Sequence, residues 1–303
     1  MKITIVGAGA IGCLLGGLLA KSKQEVFFLD KNSSRAAALN KEGINVEGIS
    51  GKWQVKAQVN ESAKEIGASD LVIICVKSYD TKSAIEKIAP LVGERTKILT
   101  LQNGLGNVEI ISEAFGEEKV IAGSTSLGAT WLKPGYIRHA GLGETTIGLM
   151  DGSMPVEMRH IREAFNKAGI ETKLCRDIKG LLWSKLIINV GINPLAAITR
   201  LPNGKLVQLE NTKRIMRAAV IEAVKVAKRK RIKLIYDDPL AKVEAVCETT
   251  ACNICSMLQD ILRHKKTEID FINGTIVRLG QELGIPVPVN SLLVDLVKAI
   301  EAS

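Results

Sequence analysis

Aromatic side chains are scarce in this chain: three Trp, three Tyr and five Phe among 303 residues. A surface that stacks unpaired bases needs aromatics interleaved with cations, so the shortage argues against nucleic-acid binding although the net charge is +9. The densest basic run, KVAKRKRIK at 225–233, reads instead as the solvated end of a long helix, where cations also suit the helix dipole. No uncharged apolar stretch of about 18 residues occurs, so no membrane span is expected. The opening MKITIVGAGAIGCLLGGLLAKSK has a lysine before an apolar run, yet its glycines at 7, 9, 12, 16 and 17 and its missing small-x-small cleavage pattern argue against a secretory signal. The six cysteines lack any framework of paired spacings and mostly sit in apolar runs, which reads as reduced thiols in the cytoplasm. Cys252 and Cys255 form a C-x-x-C without a second pair or a nearby histidine. Their surroundings, ETTACNICSMLQD, read as helix interior, and no metal site is expected. Internal repeats and low-complexity tracts are also missing.

The first half instead alternates short apolar runs with helical segments. KITIV at 2–6, EVFFL at 25–29, LVIICV at 71–76, KILTL at 97–101 and a run at 119–122 read as strands, with a small-residue helix over 10–21. Continuous apolar strands in β/α alternation imply a parallel sheet covered on both faces. From Ile178 the texture turns helical, over 180–193, 206–230, 238–264, 267–283 and 290–301, with breakers at Pro194, Pro202-Asn203-Gly204, Asp238-Pro239 and Pro286 with Pro288. The expected fold is an α/β N-terminal domain of Rossmann type over 1–177 and an all-α C-terminal domain over 178–303.

GAGAIG at 7–12 fits G-x-G-x-x-G between a strand and a helix, the context in which that weak motif acquires meaning. Gly7 permits the tight turn, Gly9 lets the backbone approach a pyrophosphate, and Gly12 allows close helix packing, with phosphates at the helix N-terminus. A purely structural glycine turn is the competing explanation. Asp30 stands where a carboxylate would accept from a ribose 2′-hydroxyl and favour NAD. Lys31 and Arg35 follow, and either suits a 2′-phosphate.

In WSKLIINVGINP at 183–194, Lys185, Asn189 and Asn193 recur at i, i+4 and form one stripe on a helix. A lone lysine there usually snorkels to water, and asparagines often cap or turn. Three aligned polar residues beside Leu186, Ile187 and Val190, with Asn203 after Pro202, point to a substrate surface. Asn253, Ser256 and Asp260 recur on a further expected helix face, and Glu268 follows. Asp260 reads as a surface charge.

Several stretches in order, KITIVGAGAIG, CVKSYD at 75–80, LQNGLGN at 101–107, WSKLIINVGINPLAAIT with PNG at 183–204, and SMLQDILRHKKTEIDFINGTIV at 256–277, resemble the ketopantoate reductase (2-dehydropantoate 2-reductase) family over essentially the whole chain. The resemblance implies an oxidoreductase of CH–OH groups that reduces ketopantoate to pantoate with NADPH in pantothenate (vitamin B5) biosynthesis. It implies cofactor contacts at Gly7, Ala8, Gly9, Ala10, Ile11, Gly12, Lys31, Lys77, Asn103, Ala129 and Glu268. Catalytic roles fall on Lys185 and Glu268, and substrate contacts on Asn103, Lys185, Asn189, Asn193, Asn203 and Ser256. NADP-preferring members usually offer arginine where this chain has Lys31, without a neighbour like Asp30, so NADP is expected with NAD left open. The expected partner is a small 2-oxo acid, without nucleic acid or membrane, and homodimerisation is left open. A related NAD(P)-dependent dehydrogenase of another 2-oxo or hydroxy acid, or a catalytically silent NAD(P)-binding regulator, are the alternatives.

Overall fold

A computed structural model describes residues 1–303. The chain forms two compact units, Met1–Gln102 with Asn107–Ile178, and Asn103–Gly106 with Lys179–Ser303. The first unit contains strands β1 (Lys2–Val6), β2 (Glu25–Leu29), β3 (Ile44–Gly48), β4 (Trp53–Val55), β5 (Val59–Asn60), β6 (Leu71–Ile74), β7 (Lys97–Thr100), β8 (Val120–Thr125), β9 (Gly128–Lys133), β10 (Tyr136–Gly141), β11 (Thr145–Gly148) and β12 (Thr172–Leu174). Its helices are α1 (Ala10–Lys21), α2 (Ser33–Glu42), α3 (Ala63–Ile66), α4 (Thr81–Ile85), α5 (Asn107–Phe115) and α6 (Val156–Lys167).

Eight strands pair in the order β12-β11-β8-β7-β6-β1-β2-β5, parallel except where β11 meets β8. The continuous apolar runs follow from burial on both faces. Ile3, Ile5, Leu71 and Ile73 face one core, while Val6, Val72, Ile74 and Ile98 face another. β1 is flanked by β2 on one side and β6 on the other, so the strand order reverses there, and GAGAIG leaves its carboxyl end at the position where open α/β sheets bind ligands.

A second sheet, β4-β3-β10-β9, was not foreseen, because its strands are short and only partly apolar. α1 packs against strands of both sheets. Its paired glycines allow this: a Cβ on Gly16 would meet the Phe28 ring at 2.3 Å, and one on Gly17 would meet Trp53 at 3.1 Å.

The helical unit runs α7 (Ile178–Thr199), α8 (Asn203–Gln208), α9 (Glu210–Arg229), α10 (Pro239–Thr249), α11 (Ser256–Ile261), α12 (Asn273–Leu283) and α13 (Pro288–Glu301). α7 passes through Pro194, which was expected to end it. By length and composition α7, at 22 residues, is sufficient to cross a membrane, against the expectation of no such segment. Its Trp183, Leu186, Ile187 and Val190 are instead built into the core of the helical unit. The segment expected as one helix over 238–264 is broken between Thr250 and Cys255, and that over 206–230 is interrupted at Leu209. The basic run does close α9, with Lys228 and Arg229 in its last turn.

Candidate active site

Gly7 turns with φ +99°, a conformation an L side chain resists, and an added Cβ would strike Val76 at 2.8 Å. A Cβ on Gly12 would lie 2.1 Å from the Gly7 carbonyl oxygen, so the turn and the first helical turn are pressed together. Gly9, by contrast, faces open space. It caps α1, whose first turn carries no acidic residue and no side-chain cap, and Ala10 and Ile11 are accessible. Free amide N–H groups at an uncapped helix start suit a pyrophosphate, so this chain fits a dinucleotide here. Ala8 shapes the turn without donating to a ligand: its N–H goes to Asp30 Oδ2 at 2.7 Å.

Asp30 is buried and fully engaged. Besides Ala8 it accepts from Asn32 N at 2.9 Å, and Arg35 grips both oxygens, Nε at 2.9 Å and Nη2 at 2.7 Å. Four bonds use the acceptor capacity of a carboxylate, so the ribose contact read from sequence has no lone pair left to it. Lys31 is exposed and pairs with Asp80 at 2.9 Å. Lys77 follows β6 in extended conformation, and Ala129 lies on β9, partly buried and paired with His139 of β10.

The stripe on α7 is real. Lys185 and Asn189 are partly buried and Asn193 is buried, so the polar groups run along a face that is largely withdrawn from water. Burial lowers the Lys185 pKa to about 8, with the negative charge of Glu268 opposing that fall. Glu268, just before the 3-10 turn Ile269–Phe271, is 5% exposed.

Asn103 reaches the same group, its Nδ2 donating to Glu268 Oε2 at 3.4 Å. The loop that carries it is fastened to this unit, since Leu105 N donates to Phe271 O at 3.1 Å. Gly104 makes the approach possible: its φ is +82°, and a Cβ would lie 2.3 Å from the Phe271 carbonyl oxygen. The glycine of the QNG sequence is the signal for this loop.

Asn203 opens α8, buried, and is tied to the break after α10. Its N–H donates to Asn253 O at 3.0 Å and its Nδ2 to Thr250 Oγ1 at 2.9 Å, while Oδ1 is buried without a partner. Such an acceptor fits a ligand hydroxyl. Here the expected helix face dissolves: Asn253 lies outside any helix, Ser256 is the exposed first residue of α11, and Asp260 is buried where a surface charge was expected. The C-x-x-C is not helix interior either. Cys252 is exposed, and Cys255 caps α11, its sulfur accepting from Leu258 N at 3.4 Å and donating to Asn193 O at 3.7 Å. That second contact, to the carbonyl of a stripe residue, had no signature in the spacing.

A nucleotide turn at the start of one unit and a desolvated lysine with aligned amides in the other are the features a family assignment must explain. Residues 3–152 match the family Ketopantoate reductase PanE/ApbA, and residues 177–301 match Ketopantoate reductase PanE/ApbA C terminal. The chain belongs to the ketopantoate reductase family. A 2-dehydropantoate 2-reductase of Pyrococcus horikoshii is 39% identical over 303 residues, spanning 100% of this chain and 98% of the other. The structure of a PanE/ApbA family ketopantoate reductase from Ralstonia eutropha JMP134 matches with TM-score 0.92 at 36% identity, over 100% of this chain and 99% of that one. D-mandelate dehydrogenase, in its ternary structure with NADH and anilino(oxo)acetate, matches with TM-score 0.94 at 26% identity, again over 100% and 99% of the two chains. The ketopantoate reductase match therefore runs through both units.

Proposed function

We propose that this protein is a 2-dehydropantoate 2-reductase, reducing ketopantoate to pantoate with NADPH as a step of pantothenate biosynthesis in the cytoplasm. The observation that carries the reading is Lys185, a cation that burial holds near pKa 8, with Glu268 acting on it and Asn189 and Asn193 aligned beside it. Full-length similarity to a 2-dehydropantoate 2-reductase supports the substrate. None of the six cysteines is joined in a disulfide, which supports a reducing compartment.

Bound nicotinamide supplies the hydride equivalent. The residues of this chain do the rest. Lys185 donates a hydrogen bond to the ketone oxygen and stabilises the negative charge that gathers there as the C2–H bond forms. Its Nζ proton then passes to that oxygen, completing the alcohol, and the neutral amine is reprotonated from water. A pKa near 8 leaves the acid charged at neutral pH while making its proton easier to release. Asn189, Asn193 and Asn203 bind substrate oxygens, since an amide donates and accepts without adding charge. Asn203 Oδ1 accepts from the substrate hydroxyl. Ser256 donates to the carboxylate, and Glu268 with Asn103 holds the lysine end of the site. Gly7–Gly12 cradle the pyrophosphate, with Lys77 and Ala129 as further cofactor contacts.

NADPH is favoured over NADH because the Asp30 carboxylate is already held by Arg35, while Lys31, exposed and paired with Asp80 at the surface, is the cation placed to exchange that partner for a 2′-phosphate. A second reading, an NADH-linked reductase of another 2-oxo acid, draws support from the D-mandelate dehydrogenase match. Steady-state assays of ketopantoate and aromatic 2-oxo acids, each with NADPH and NADH, separate the two. Turnover of ketopantoate with NADPH at the highest kcat/KM is the expected result, and preference for an aromatic 2-oxo acid would overturn the substrate assignment.

A further inference from the structure

Pro194 lies inside α7 and has no N–H to give. The carbonyl one turn back that loses its donor is that of Val190, which stands between Asn189 and Asn193 on the helix. A buried carbonyl left bare is costly, so the interior must supply a donor from elsewhere. It comes from the first residue of α12: Asn273 Nδ2 lies 3.2 Å from Val190 O.

Asn273 does not act alone. Its Nδ2 also donates to Asn290 Oδ1 at 3.0 Å. Asn290 Nδ2 donates to Ala219 O at 3.0 Å and to Glu222 Oε2 at 2.7 Å, and the backbone N–H groups of Val289 and Asn290 both donate to Glu222 at 3.0 Å. These partners fix which way each amide points, because every atom facing Asn273 Nδ2 is an acceptor. Asn273 and Asn290 are completely buried and Glu222 nearly so. Asn273 Oδ1 is buried with no partner, so the side chain acts in this network through its donors.

We infer that Asn273, oriented by Asn290 and Glu222, is a positioning residue of the reductase: it replaces the helix hydrogen bond missing at Pro194 and so fixes the turn of α7 that carries Asn189 and Asn193. The inference rests on the reading of those two amides as substrate ligands. A residue that merely filled space would be indifferent to the residue at 194. Asn273 is not, because alanine at 194 restores the N–H that Val190 O lacks.

The test is a cycle of Asn273→Ala, Pro194→Ala and the double variant, measured for KM and kcat with ketopantoate, for NADPH affinity by fluorescence titration, and for melting temperature. In the Pro194 background Asn273→Ala is expected to raise the KM for ketopantoate about tenfold, the weight of one hydrogen bond, and to leave NADPH affinity unchanged. In the Pro194→Ala background the same substitution should change KM by no more than about twofold and cost less in melting temperature. Equal losses in both backgrounds, or an unchanged KM with Pro194 present, would overturn the inference. Should Asn273→Ala not fold, Glu222→Gln loosens Asn290 without emptying volume; it should raise KM in the same direction, suppressed by Pro194→Ala, and an unaltered KM would count against the network. A wild type inert toward ketopantoate would sink the proposed function instead, and the melting cycle, which needs no substrate, then decides the inference by whether the loss depends on Pro194.

Discussion

The side-chain amide of Asn103 donates to Glu268 Oε2 at 3.4 Å, joining residues 165 positions apart in sequence. Glu268 also holds up the pKa of Lys185 against the lowering effect of burial. Glu268→Gln removes that charge, so the lysine should lose its proton at a pH below about 8. The alkaline limb of the kcat/KM profile should therefore move to lower pH. An unmoved limb would detach the carboxylate from the lysine.

With the wild-type lysine at about 8, the direction of the pH dependence is fixed. The acid must be protonated to work, so reduction should run at full rate below that value and fall as pH rises through it. Lys185→Ala should lower kcat by ~10² to 10⁴, the range general acid catalysis supplies. The variant's residual rate should also lose the alkaline limb, which a stopped assay across pH 6 to 10 would reveal.

The bare acceptor on Asn203 gives a substrate-side test. For the wild type, 3,3-dimethyl-2-oxobutanoate, which lacks the hydroxyl of ketopantoate, should show a kcat/KM lower by about 10-fold or more, since a buried acceptor then goes unpaired. Asn203→Ala should shrink that difference and chiefly raise KM for ketopantoate. Equal discrimination in variant and wild type would move the hydroxyl contact to another residue.

His139 provides a prediction about stability. It sits in β10 and is 3% exposed. Burial lowers its pKa, with a smaller opposing effect from the backbone at Gly141. The unfolded chain thus takes up a proton near pH 6.5 that the folded chain resists. Stability from this group is complete above that pH and declines as pH falls toward the lower folded value. Melting temperature measured from pH 7 to 5 should fall more steeply for the wild type than for His139→Leu.

What the sequence reveals of this fold depends on the range of the interactions. The parallel sheet was legible because each of its central strands is apolar on both faces, as in KITIV and LVII, and the glycine turn because its spacing is local. The Lys185 stripe was legible for the same reason, being a helix periodicity. The second sheet was not, since WQV and its partners carry too little apolar pattern to announce pairing across some 90 positions between Glu47 and Arg138. Asp30 looked available because its position in the motif is local, whereas its saturation depends on Arg35 folding back from α2. Pro194 read as a breaker because nothing near it reveals the donor waiting on α12. Thr250–Cys255 looked helical because its residues tolerate a helix, and only the backbone bonds to Asn203 and Gly204 explain why it opens.

The attachment of Asn103–Gly106 to the helical unit bears on how such enzymes diversify. A recombination that joined the front of one relative to the back of another near residue 178 would draw the loop from one parent and Phe271 and Glu268 from the other. Hybrids made by exchanging halves at that junction should inherit mismatched partners at position 104, where only glycine lets the two backbones meet, and exchanges that carry the four-residue loop along with the back half should be the ones that survive.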